Sequence, residues 1–216
     1  HRRKPNMNPQ AAVAFDSIQP PQGDPALRRA LLQGIDLLQG LQQHRGLGGQ
    51  TTSEARQRCQ TLGASLDHRW KEWPYAEQRQ NWQALRRAPA DFDGHCRLLQ
   101  DLLATIQHLE LHRCALNLQP PSIAERCWEL EDLGRLRGLS VRAAAHRTCP
   151  LEMLIQLQYL HERLLRHAPR SLHSALDQLQ HCLIDTRIVS IAPAECYALL
   201  TPLLDERLDA IRRDLD

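Results

Sequence analysis

Prolines set the limits on this fold. Eight of the thirteen stand at positions 25, 74, 89, 120, 121, 150, 169 and 193, and proline is tolerated in the first turn of a helix but disfavoured in its interior. Between them run leucine-rich blocks that begin with helix-start chemistry. Asp24-Pro25 reads as an N-cap followed by proline at the first helical position. Leu27, Leu31, Gly34, Leu38 and Leu41 then recur at steps of four and three, which makes one buried stripe. Gly46, Gly48 and Gly49 weaken that helix near its end. Thr51, Thr52 and Ser53 with Glu54 restart a helix to about Arg69, and a shorter segment carries Trp82 and Leu85 up to Pro89. Asp91 or Asp93 caps a long helix to about Leu118, closed by Pro120-Pro121. Ser122-Ile123-Ala124-Glu125 has the form of a capping box opening a helix to about His146. Pro150, Pro169 and Pro193 each start another. The pattern predicts an all-α fold of about eight helices and no strand.

Composition agrees and excludes several function classes. Leucine is abundant, β-branched residues are sparse and aromatics are 4%, which is helical composition and leaves little for stacking bases. Lys4 and Lys71 are the only lysines among 27 basic residues, and 25 acidic residues hold the net charge to +2. That balance predicts no direct nucleic-acid binding. No run of about 18 uncharged apolar residues occurs, so no membrane-spanning helix is expected. The seven cysteines are odd in number and none forms a Cys-x-x-Cys pair, so they read as reduced thiols in a core.

Residues 1–23 hold four prolines and no sustained period, and read as a tail or linker. Arg2-Arg3-Lys4 reads either as the cytoplasmic flank of an anchor upstream or as a solvated terminus. Pro120-Pro121 divides the rest into halves, 24–120 and 121–216, each long enough for a four-helix bundle. A short internal echo supports the division: His44-Arg45-Gly46-Leu47-Gly48 parallels Leu136-Arg137-Gly138-Leu139-Ser140.

The phase of the arginines is the most informative feature. The first stripe, continued by four, lands on Arg45; Leu130 and Leu133, continued by four, lands on Arg137. A buried guanidinium cannot be discharged and needs an anionic partner. Neither arginine has an acidic residue on the neighbouring turns of its own face. Gly46 and Gly138 would let another helix or a small ligand approach. Each arginine therefore binds a ligand, snorkels, or pairs with a carboxylate from another helix.

Other constellations are weaker. His108 and His112, at i, i+4 with Cys114 nearby, could chelate a metal, but HLELH is not the H-E-x-x-H arrangement and no second pair completes a site. No nucleophile elbow, phosphate loop or dinucleotide fingerprint is present, so no enzyme, cofactor or metal site is expected. Glu131–Arg135 and the run Asp205-Glu206-Arg207…Arg212-Arg213 read as solvated faces.

Three segments resemble the nitrate- and nitrite-sensing (NIT) domain of bacterial signalling proteins: LLQGLQQHRGLGGQ (37–50), WELEDLGRLRGLSVRAAA (128–145) and LIDTRIVSIAPAECYALLTPLLDERL (183–208). The resemblance implies a sensor of two four-helix bundles that binds nitrate or nitrite through arginines gathered between them. It assigns Arg45, Arg137 and Arg187 to the anion, with Arg135 more weakly. His44 stands where a family member carries a second arginine, which removes one permanent charge. An imidazole there of ordinary pKa, about 6.5, would strengthen nitrate binding as pH falls from about 8 to 6. The resemblance also implies a signalling output outside this chain; a homodimer is a separate expectation. The reduced-looking cysteines and the basic start favour a cytoplasmic module, with a tether to the inner membrane from upstream as the further expectation, although family members also occur outside that membrane. The competing expectation is a helical interaction or scaffold protein whose arginines are structural and whose ligand site has decayed.

Overall fold

The computed structural model describes residues 18–216, which form eight α-helices and no strand. Of the expected tail, residues 1–17 lie outside the described part. The helices are α1 (Asp24–Gly48), α2 (Ser53–Glu72), α3 (Ala76–Arg87), α4 (Phe92–Asn117), α5 (Ile123–Ala144), α6 (Leu151–Leu165), α7 (Arg170–Leu179) and α8 (Pro193–Leu215). A short π-helical stretch, Gln180–Ile184, continues α7. Among the described residues no helix is long and apolar enough to cross a membrane.

Several expected helix starts are present in the structure. The Thr52 hydroxyl accepts from the Ala55 N–H at 3.2 Å, and the Asp91 carboxylate accepts from Gly94 N–H at 2.9 Å. Pro150 and Pro169 precede α6 and α7, and Pro193 opens α8. Two starts differ. Asp24 is the first residue of α1 rather than its cap, and its carboxylate accepts from Arg113 and Asn117 at the far end of α4. The capping box at Ser122 does not form. Glu110 of α4 accepts instead from the N–H groups of Ser122, Ile123 and Ala124, at 3.3, 2.6 and 2.9 Å. A full negative charge at a helix N-terminus, satisfying three donors at once, outcompetes a neutral hydroxyl.

α1 and α5 are the interior helices. In α1 the predicted stripe is buried, and so are Leu37, Gly40, His44 and Leu47 on other faces; in α5 every residue from Leu136 to Val141 is buried. A helix buried on more than one face needs neighbours on several sides. α1 packs against α2, α4, α5 and α8, and α5 against α4, α6 and α8. Trp70, Trp73 and Trp82 fill the space among α1 to α4, with Trp70 and Trp82 stacked at 6.2 Å. The buried apolar residues of both halves belong to one contiguous core.

The last helix is laced to the first. Arg212 donates to Asp36 at 2.9 Å, Gln39 Nε2 donates to Asp205 at 3.0 Å, and Arg28 donates to the Leu215 carbonyl. The 205–213 run is therefore a seam on one side rather than a fully solvated face. The seven cysteines are all free thiols, and burial pushes Cys127 and Cys196 up to about 12.

Candidate functional site

α1 and α5 cross where the sequence echo lies. Each arginine rests on the glycine that follows the other. A Cβ on Gly46 would sit 3.4 Å from Arg137 Nε and 2.7 Å from the Tyr197 ring. A Cβ on Gly138 would sit 3.3 Å from Arg45 Nε and 2.9 Å from the Phe92 ring. The missing side chains make the crossing close enough for both guanidiniums to lie inside it.

The two guanidiniums are equally buried, at 0% and 1% exposure for Arg45 and Arg137, but they are not equally satisfied. Arg45 makes a two-pronged ion pair with Glu131 of α5, NH2 to Oε1 at 2.8 Å and NH1 to Oε2 at 2.9 Å. Gln42 donates to the same carboxylate at 3.1 Å, and the Phe92 ring lies 5.5 Å from the guanidinium carbon. Burial works against the Arg45 charge, but Glu131 overrides it and raises the pKa above the ordinary value. Glu131, which the sequence pattern placed on a solvated face with Arg135, is buried.

Arg137 has an aromatic platform and one hydroxyl. Its carbon lies 4.6 Å from the Tyr197 ring centre, and NH1 donates to Thr201 Oγ1 at 2.8 Å. Its Nε has no partner, which is equally true of Arg45 Nε, but unlike Arg45 it has no carboxylate paired with it among the described residues. Burial draws its pKa down to about 10. Arg142 stands beside the pair, 4.7 Å from the Phe92 ring, and donates to the carbonyls of Arg45, Gly138 and Ala90. Burial and the Arg45 charge draw it to about 10 as well. Of these three guanidiniums only that of Arg45 is paired with a carboxylate among the described residues.

The other expected site residues fall elsewhere. His44 is buried but turned into the first half: its Nδ1 lies 2.8 Å from His95 Nε2, and its ring meets Trp82 at 4.9 Å. One residue from Arg45 is about 100° around a helix, which is why adjacency in sequence did not bring it to the same place. Burial, aided by Arg86, lowers its pKa to about 4, below the expected titration between pH 8 and 6. Arg135 is half-buried on the other side of α5, lining a surface hollow of about 290 Å³ with Cys96 and Gln156. Arg187 is exposed in the loop after the π-helical stretch and does not join Arg45 and Arg137. His108 and His112 lie against each other on α4, and no group of three metal-ligating side chains occurs among the described residues.

Sequence reasoning missed Glu131, Tyr197, Thr201 and Phe92. Glu131 carried a usable signal, since Leu130 and Leu133 bracket it on the buried side of α5. Tyr197 and Thr201 carried none, because nothing local specifies which helix lies over Gly46. No protein-family model, curated protein or solved structure matches this chain.

Proposed function

We propose that the protein is a ligand-sensing module that binds a small planar monoanion, nitrate or nitrite, between α1–α4 and α5–α8 arranged as two four-helix bundles. Arg137 carries the reading: a buried, charged guanidinium against an aromatic wall and without a paired carboxylate. Leaving such a charge unpaired is costly, and an anion from solution removes the cost. A delocalised planar anion accepts two parallel hydrogen bonds from a guanidinium fork, as a carboxylate does. Because Arg137 comes from α5 and its walls from α8 and Gly46 of α1, an anion held there bears on the packing of both halves, which is what transmission to an output partner requires.

The Arg45–Glu131 pair favours a second reading for one of the two arginines, a structural cross-link in a helical scaffold. Calorimetric titration with nitrate, nitrite, chloride and sulfate separates them. Saturable nitrate or nitrite binding, weakened about tenfold or more in Arg137→Ala, is expected, the scale of a charge-assisted hydrogen bond. Absence of saturable binding for every anion, or equal affinity in Arg137→Ala, leaves the scaffold.

A further inference from the structure

The contacts at the crossing are reciprocal. Arg45 lies over Gly138 under the Phe92 ring of α4; Arg137 lies over Gly46 under the Tyr197 ring of α8. Each aromatic therefore comes from one half and covers the glycine of the other, as a local two-fold axis between α1 and α5 would arrange them. Glu131, which fills the Arg45 fork, stands six residues before Arg137 on α5. The residue six before Arg45 on α1 is Gln39, which is neutral. Gln39 is held in place by two residues of α8: its Nε2 donates to Asp205, whose charge acts on Arg137 without pairing with it, and its Oε1 accepts from Arg212.

From this reciprocity we infer that the molecule has two equivalent anion seats, one occupied by its own Glu131 carboxylate and the other, at Arg137, Thr201 and Tyr197, built for a free planar monoanion of the same shape. The inference rests on the proposed reading for the ligand of the second seat, but it adds a claim about the first: Glu131 is a tethered copy of the ligand. It also limits ligand class. A buried seat sized for one carboxylate favours a compact monoanion such as nitrate, nitrite or formate; sulfate also fits a guanidinium fork, but its second charge and its bulk count against it in a buried seat.

The test is to empty the first seat and to fill the second. Glu131→Ala leaves Arg45 buried without its carboxylate, and its thermal midpoint should fall by several degrees in anion-poor buffer. Formate or nitrate, but not sulfate at equal ionic strength, should restore most of that loss, and titration should find two nitrates per chain where the wild type takes one. Gln39→Glu, made together with Arg212→Gln so that Arg212 does not hold the new carboxylate, puts a carboxylate at the two-fold equivalent of Glu131, and nitrate affinity at Arg137 should fall at least tenfold relative to Arg212→Gln alone. If Glu131→Ala does not fold in any anion, that comparison decides alone. Unchanged nitrate affinity in the double variant relative to Arg212→Gln, or a Glu131→Ala protein that gains no second nitrate and no extra midpoint shift, overturns the two-seat inference while leaving nitrate binding at Arg137 standing. A Glu131→Ala protein rescued by formate, beside a wild type that binds no anion, supports the tethered seat and removes the sensing function.

Discussion

At the scale of single residues, two buried arginines of the same type and exposure should behave in opposite ways. Removing Arg45 strands the Glu131 carboxylate inside the protein, so Arg45→Ala should cost about 3–5 kcal/mol in anion-free buffer. Arg137 has no carboxylate to strand, and its charge is repelled by Arg45. Arg137→Ala should therefore leave stability nearly unchanged or raise it, apart from the lost packing on Tyr197. Chemical denaturation of both variants without added anion reads the difference; equal large losses would mean Arg137 has a structural partner. The His44–His95 pair gives a second prediction. His95 Nδ1 faces the Asp91 carbonyl at 2.6 Å, which only accepts, so Nδ1 carries the proton and Nε2 accepts from His44 Nδ1–H. Burial lowers His44 to about 4 and His95 to about 3, against 6.5 in the unfolded chain. The unfolded state thus takes up protons first. Stability is whole above about pH 6.5 and falls as the pH drops toward the folded values, by up to about 1.4 kcal/mol per unit for each imidazole. Denaturant midpoints between pH 7 and 5 should show that slope, and a flat profile would mean the pair is solvated.

At the scale of elements, the handover from α4 to α5 rests on one side chain. Glu110→Gln keeps an oxygen but removes the charge and brings an N–H₂ toward three N–H donors, and it should cost roughly 1–3 kcal/mol. Ser122→Ala, which deletes the hydroxyl that the capping-box pattern implicates, should stay within about 0.5 kcal/mol. Urea melts of the two variants rank them, and a larger loss in Ser122→Ala would restore the local box. The contrast marks where sequence is legible. Helix existence, type and order follow from proline positions and leucine spacing, because those act within a turn or two. Arg45 and Arg137 stood out for the same reason, as charges on an apolar period. What remained hidden depends on which helices meet. Glu110 reaches α5 across the Pro120-Pro121 turn, Glu131 reaches Arg45 across the crossing, and His44 was misplaced because its neighbours, His95 and Trp82, come from α4 and α3. The single stripe on α1 likewise understated its burial, since neighbours on several sides bury residues off the stripe and leave only a narrow polar strip through Arg29 and Gln33.

At the scale of the whole molecule, the question is whether the two halves unfold together. The sequence break at Pro120-Pro121 suggests separable bundles, but α1 is packed against α8 and α5, and the core is continuous across the break. Isolating either half would expose the buried faces of α1 or α5, along with Arg45 or its carboxylate. Cooperative unfolding as one unit is the expected result. The tryptophans provide the probe. Trp70, Trp73 and Trp82 are buried in the first half, and Trp128, alone in the second, is partly exposed. Tryptophan emission therefore reports mainly α2 and α3, whereas far-ultraviolet circular dichroism reports all eight helices. The two signals should give one common urea midpoint, and nitrate at saturating concentration should move both upward together, by RT ln(1 + [L]/Kd), about 2.7 kcal/mol at a hundredfold excess over Kd. An emission transition at lower urea than the dichroism transition would mean that the first half comes away alone. A nitrate shift in only one of the two signals would place the anion within one half rather than at the crossing of α1 and α5.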